Sequence, residues 1–123
     1  MSRSIDKFED FQKKYPNLFK EYPRSGFALD EGWTVLVDKL CTLLEHRIKG
    51  LPDHERSQTY CVQVKEKFGG LRFYMNRTDS YIDGAIAFAE HLSFTTCQIC
   101  GVPAQRRGGA WVATMCDKCF KDK

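Results

Sequence analysis

The sequence predicts an α+β fold: N-terminal helices and a β-hairpin form a core, and a small cysteine-built module closes the chain. Three observations carry this reading. An apolar stripe with helical spacing runs through "DEGWTVLVDKLCTLLEHRIKG". Period-two alternation flanks Gly69-Gly70. Four of the six cysteines lie between Cys97 and Cys119 as two C-x-x-C pairs.

The length of 123 residues argues for one compact unit, read here as a core over residues 1–94 with the cysteine module, 95–123, packed on it. Composition is that of a globular chain rather than a disordered one. The N-terminal "MSRSIDKFED" has no apolar run of the secretory type, and "GAIAFAEHL" is too short to cross a bilayer. The expectation is a soluble cytoplasmic protein with no membrane partner.

Each element has a local reason. "SIDKFEDFQKKYP" reads as a first helix, with Ser4 as N-cap and Ile5, Phe8, Phe11 and Tyr15 roughly on one face. Pro16 ends it. "PNLFKEYPRSG" is irregular, and its Leu18, Phe19 and Tyr22 are expected to pin it to the core. In the second helix Asp30 is the expected cap. Trp33, Leu36, Val37, Leu40, Leu43, Leu44 and Ile48 form its stripe, and Gly50 stops it. "LPDHERSQ" reads as a polar loop. Tyr60, Val62 and Val64 alternate with Cys61, Gln63 and Lys65, and Leu71, Phe73 and Met75 with Arg72 and Tyr74. A hairpin turning at Gly69-Gly70 results. "SYIDGAIAFAEHL" returns to helix, with Ser80 and Asp83 at capping-box spacing and Ile82, Ile86, Ala89 and one of Phe88 or Leu92 inward. Cys41 and Cys61 read as small core hydrophobes.

The cysteine module carries the chemistry. Cys97, Cys100, Cys116 and Cys119 have the spacing of a tetrahedral zinc site, with fifteen residues between the inner pair. "CQICG" has the form of a knuckle, since a glycine after the second cysteine tolerates φ > 0 and lets amides face the sulfurs. A zinc ribbon or a treble clef would each fit. A four-cysteine iron cluster suits this spacing less well, and a redox dithiol would need only one pair. With four thiolates no coordination position is open, so the expected zinc is structural rather than catalytic. His46, His54 and His91 have no partner spacing of a ligand set.

The formal charge of +3 lies entirely in residues 57–123, which carry nine basic and six acidic side chains against ten of each in residues 1–56. Four thiolates around one Zn²⁺ sum to −2, so the loaded protein comes to about +1. Arg106, Arg107 and Lys118 surround the ligands in sequence. They either offset thiolate charge or contact phosphate, and the first role is the commoner. Trp111, between the pairs, either stacks on a base or covers the metal site, again with the second role commoner. In "KEKFGGLRFY", Lys65, Lys67 and Arg72 can face solvent while Phe68, Leu71 and Phe73 belong to the core. The alternative is that Phe68 projects from the turn and the hairpin becomes a contact surface.

"LDEGWTVLVDKLCTLL", "VQVKEKFGGLRFYMN" and the terminal C-x-x-C-G…W…T-x-C-x-x-C together resemble a group of small, largely uncharacterised phage and prophage proteins. The likeness covers roughly residues 27–119. In that group Gly-Trp opens a helix, here Gly32-Trp33, and the Lys65–Tyr74 segment forms the centre. Ala104 departs from a commoner glycine and leaves the ligands intact. The resemblance implies zinc and a phage context; no established catalytic activity comes with that group, so it implies no mechanism. No nucleophile motif, glycine-rich phosphate loop or His–carboxylate pair at diagnostic spacing is found either. Asp38 and Glu45 form at most a conceivable carboxylate pair on a solvated helix face. The expected function is a non-catalytic module binding a host or defence protein. A nucleic-acid-binding zinc protein is the alternative and an enzyme the least favoured reading.

Overall fold

The structure is a computed structural model that describes residues 4–21 and 26–122, with residues 4–6 described as backbone only. The expectations for the Ser4 cap, the Ile5 side chain and Tyr22 fall outside the described residues.

Helix α1 (Ser4–Lys14) leads through a turn and an extended stretch to a 3₁₀ turn, Glu31–Trp33, that feeds helix α2 (Thr34–Lys49). A one-turn helix α3 (Asp53–Arg56) occupies the expected polar loop. Pro52 precedes it with its fixed φ, and Arg56 ties back to the Leu51 carbonyl. Strands β1 (Cys61–Lys67) and β2 (Gly70–Met75) form the hairpin, and helix α4 (Ser80–Ser93) follows. The C-terminal segment adds strands β3 (Gln105–Arg107) and β4 (Ala113–Met115) and helix α5 (Asp117–Asp122). The sheets are two antiparallel pairs, β1–β2 and β3–β4. No helix among the described residues is long and apolar enough to cross a membrane.

The core is an aromatic cluster roofed by α2 and α4. Phe8, Phe11, Phe19 and Phe27 meet with ring centroids 5.5–6.1 Å apart, mostly edge to face, and Phe73 joins at 6.5 Å from Phe19. Such pairs contribute ~0.5–1.5 kcal/mol each beyond area burial. Leu18 and Phe19 do pin the irregular segment, and Glu45 explains how. Its buried carboxylate accepts from the Leu18 amide (2.9 Å) and from the Asn17 side chain (2.8 Å). Glu45 therefore does not lie on a solvated face. Asp38, partly exposed, is held by Lys14 (2.9 Å) and the Tyr15 hydroxyl. Both carboxylates dock α1 and the following turn onto α2.

Several local expectations need correction. The inward β1 residues are Cys61 and Val64, because a bulge between Cys61 and Gln63 shifts the alternation and leaves Tyr60 and Val62 half-buried. The hairpin pairs Lys67 with Gly70, so its two-residue turn is Phe68-Gly69, at φ 54° and 79°. Positive φ at both central positions is the I′ pattern, which matches strand twist. Helix α4 is capped by Asp79, whose carboxylate accepts from the Ile82 amide at 2.9 Å, with Ser80 already inside the helix. Asp30 makes no cap bond; its carboxylate turns to Gln98 instead. Of the two candidates on α4, Leu92 is half-buried and Phe88 is 65% exposed. Leu43, in the α2 stripe, is exposed as well. Cys41 and Cys61 are buried as expected. Burial pushes both thiols up, Cys61 to about 12, so neither is a ready nucleophile.

Candidate metal centre

The four clustered cysteines reach one point from two elements. Thr96 and Pro103 bridge across a tight loop in which the Cys97 amide donates to the Val102 carbonyl (2.9 Å) and the Gly101 amide to the Cys97 carbonyl (3.0 Å). Gly101 sits at φ +86°, the left-handed region this turn requires. The loop presents Cys97, buried, and Cys100, exposed. Strands β3 and β4 then carry the chain back, so that Cys116 immediately precedes α5 and Cys119 lies in its first turn.

The four sulfurs lie within 4.8 Å of one another, with Cys100 Sγ and Cys116 Sγ 3.7 Å apart. A tetrahedron with metal–sulfur bonds of ~2.3 Å has edges of about 3.8 Å. A disulfide would need ~2.05 Å. The cluster can hold a metal ion, and its all-sulfur donor set fills four positions without recruiting another side chain.

The electrostatics fit a cation. Burial alone would raise the Cys97 thiol, but the backbone amides of Cys100, Cys116 and Ile99 donate toward it and bring it down to about 6. Cys119 is pushed up to about 12, first by its hydrogen bond with Cys116, then by desolvation, and then by its other sulfur neighbours. One thiolate is favoured, and the Cys119 thiol keeps its proton chiefly through its hydrogen bond with Cys116, the negative charge at Cys97 adding to the resistance. A bound cation removes that conflict.

The site is keyed into the core. Gly32 donates its amide to the Gln98 carbonyl (2.8 Å), and a Cβ there would stand 1.9 Å from the Cys97 carbonyl oxygen. Trp33, 1% exposed, donates its indole N–H to the Thr96 carbonyl (2.8 Å). Gln98 donates its side-chain amide to Asp30 (2.8 Å) and accepts from the Thr114 amide (2.6 Å). Thr114 in turn donates its hydroxyl to the Gly69 carbonyl (2.6 Å). The opening of α2, the hairpin turn and the cysteine loop are thus one hydrogen-bonded assembly. Sequence reasoning missed Gln98 and Thr114, and took Gly32 as half of the Gly-Trp motif without its contact to the cysteine loop. A glycine before a buried tryptophan was the available signal, since a helix start gains nothing from glycine unless another backbone comes close.

The remaining candidate residues divide. Arg107 donates to the Met115 carbonyl (2.9 Å) and to Asp117 (2.6 Å) and stacks on Phe120, so its guanidinium braces the module from within. Arg106 stacks on Phe94 with 4.8 Å to the centroid, its residue otherwise exposed. Lys118 is exposed on α5. Lys65 and Arg72 face each other across the hairpin, half-buried, and Lys67 is exposed beside them. Leu71 and Phe73 are core, but Phe68 is not: it stands 61% exposed at the turn. Trp111 does not cover the metal site; it is 72% exposed on the β3–β4 connection. Phe68 and Trp111 flank one cleft of about 370 Å³, together with Glu66, Lys67, Ala110 and Val112. Comparisons with protein-family models, with curated proteins and with solved structures return no match.

Proposed function

We propose that this chain is a non-catalytic binding module of the phage or prophage type. In this reading a structural zinc ion fixes its C-terminal segment, and its contact surface is the cleft between Phe68 and Trp111. The partner is a host or defence-system protein. The four-thiolate donor set and sulfur spacing support zinc. The order of loop, β3–β4 hairpin and ligand-bearing α5 supports a treble-clef-like module over a ribbon.

One observation carries the binding assignment. Two large aromatic side chains from different elements are exposed on either side of the same cleft. Phe68 also holds a positive φ that bulky residues avoid, at a position where asparagine or glycine would serve the turn better. The fold gains little from this ring, so its presence is better explained by what it touches. Aromatic side chains held rigidly at a surface are the usual anchors of protein interfaces.

Nucleic-acid binding is the second reading, favoured by the Lys65–Arg72 cross-strand pair and Lys67 at the hairpin tip. Against it stand the internal role of Arg107 and a loaded charge of about +1, too small for strong phosphate neutralisation. The test is capture from bacterial host lysate with nuclease present, comparing the native chain with Phe68→Asn/Trp111→Ser. The proposal requires a nuclease-resistant partner that the double variant fails to retain while keeping its metal and helicity. Capture that nuclease abolishes favours the second reading. Equal capture by both chains refutes the cleft.

A further inference from the structure

The β1–β2 hairpin leaves one stretch of strand edge open. In an antiparallel pair, residues alternate between bonding across the ladder and turning both backbone groups away from it. The Phe68-Gly69 turn closes on Lys67 and Gly70, so these two bond across the ladder, as do Lys65 and Arg72. Val64, Glu66, Leu71 and Phe73 therefore face outward. Four bonds fix this parity. The Leu71 amide donates to Ser93 Oγ (2.9 Å) and the Phe73 amide to a Glu90 carboxylate oxygen (3.0 Å), so α4 covers this edge of β2. On β1, the Val64 amide donates to the Gly26 carbonyl (3.1 Å), and the Val64 carbonyl accepts from the Ala28 amide (2.9 Å).

The segment that covers Val64 runs parallel to β1, and its next step would pair Ala28 and Asp30 with Glu66. That step is not made. The bridge is confined to Phe27 and Val64, and Asp30 leaves the edge for the 3₁₀ turn, where its carbonyl accepts from the Trp33 amide (3.0 Å). The Glu66 amide and carbonyl are left facing outward with no partner among the described residues. The Glu66 carboxylate is occupied at the turn, accepting from the Gly69 amide (2.7 Å). Glu66 also lines the Phe68–Trp111 cleft, so the open edge and the two exposed rings share one surface.

We propose, resting on that cleft as the contact surface, that the partner presents an extended segment. This segment adds as a strand to β1 at Glu66 and lodges a side chain between Phe68 and Trp111. An open edge is a template for another extended chain, with main-chain bonds supplying affinity and pockets for alternate side chains supplying selectivity. A helix is the poorer occupant: its own amides and carbonyls are bonded internally and would leave Glu66 unsatisfied. Successive strand side chains point to opposite faces, so residues i and i+2 of the segment share the cleft side and i+1 turns away.

The probe is a yeast-displayed library of random twelve-residue peptides. It is selected on the metal-loaded full chain and counter-selected on Phe68→Asn/Trp111→Ser. The best binder is then synthesised with single N-methyl groups along its backbone, which remove one amide hydrogen at a time. Anisotropy titration is expected to find one amide whose methylation weakens binding at least about tenfold, while its two neighbours cost less than about twofold. On the protein side, Glu66→Pro removes the outward amide hydrogen and spares the ladder, as proline does on edge strands. It should weaken binding by at least about tenfold, and Glu66→Gln by less than about twofold. Should Glu66→Pro fail to fold, the N-methyl scan on the native chain reads the same contact from the peptide. A library without binders refutes the cleft, and strand addition with it. Binders that need Phe68 and Trp111 yet tolerate every N-methyl group, or lose affinity equally at successive amides, keep the cleft and overturn strand addition. So does self-association of the native chain that Glu66→Pro dissolves, which would assign the edge to a second copy.

Discussion

Replacing Gly32 by alanine tests whether the metal module is keyed into the core. The added Cβ would stand 1.9 Å from the Cys97 carbonyl oxygen, 2.6 Å from the Gln98 carbonyl carbon and 2.8 Å from its oxygen. All three are backbone atoms, so no side chain can swing away. The cysteine loop would have to retreat by about 1.1 Å to reach even the 3.0 Å that Cβ contacts tolerate. That movement strains the Gly32–Gln98 and Trp33–Thr96 hydrogen bonds, both 2.8 Å, and the indole donor is fully buried. A buried group left unsatisfied costs ~1–3 kcal/mol, and overpacking adds ~1–3 kcal/mol. The expected loss is therefore about 2–6 kcal/mol, a large share of the ~5–15 kcal/mol that holds a domain. Because the displaced segment carries Cys97, metal retention should fall with stability. The assay is urea denaturation of the metal-loaded chain, followed by far-UV circular dichroism, with a colorimetric chelator timing zinc release in parallel. A Gly32→Ala chain with native midpoint and native release rate would refute the keyed assembly.

Three further outcomes are expected. Cys97→Ser should abolish stoichiometric zinc in native mass spectrometry and lose order at least over residues 95–123, since structural zinc contributes ~10–16 kcal/mol of apparent binding energy. A disulfide-linked native chain without metal would contradict this. Phe68→Asn should raise stability by about 1 kcal/mol while weakening partner capture, because asparagine accepts the left-handed turn position that phenylalanine resists. A lower thermal midpoint would remove the claim that this ring is not there for the fold. Asp79→Ala should destabilise by about 1 kcal/mol near neutral pH through loss of the α4 cap. Burial opposes the charge of Asp79, yet bonds from Ile82 and Arg47 outweigh it and hold its carboxyl below the usual 3.8. Its stabilisation is thus complete above 3.8 and fades as pH falls through the lower folded value. The gap between native and Asp79→Ala chains should close on acidification; a gap that widens would reverse the sign.

Much of this protein is written in local pattern. Helical spacing fixed α2 and α4 because their inward stripes must be buried whatever lies opposite, and Val37, Leu40, Leu44, Ile82, Ile86 and Ala89 are buried accordingly. The two C-x-x-C pairs announced their cluster because sulfur spacing along the chain limits how four thiols can meet. What the sequence left open depended on atoms brought together from far apart. The β1 bulge is set by the pairing partner rather than by the alternation of β1 itself. Glu45 read as a surface charge because its donors, Asn17 and Leu18, lie more than twenty residues away. Asp30 read as a helix cap, but Gln98 reaches its carboxylate across the fold. Phe68 and Trp111 read as core and as metal cover, since large aromatic residues are usually buried. Only the joined turn and β3–β4 connection leave both rings facing solvent. Composition and periodicity therefore settled which segments fold and which thiols gather. Long-range hydrogen bonds and one backbone-to-backbone approach at Gly32 decided which side chains remain at the surface.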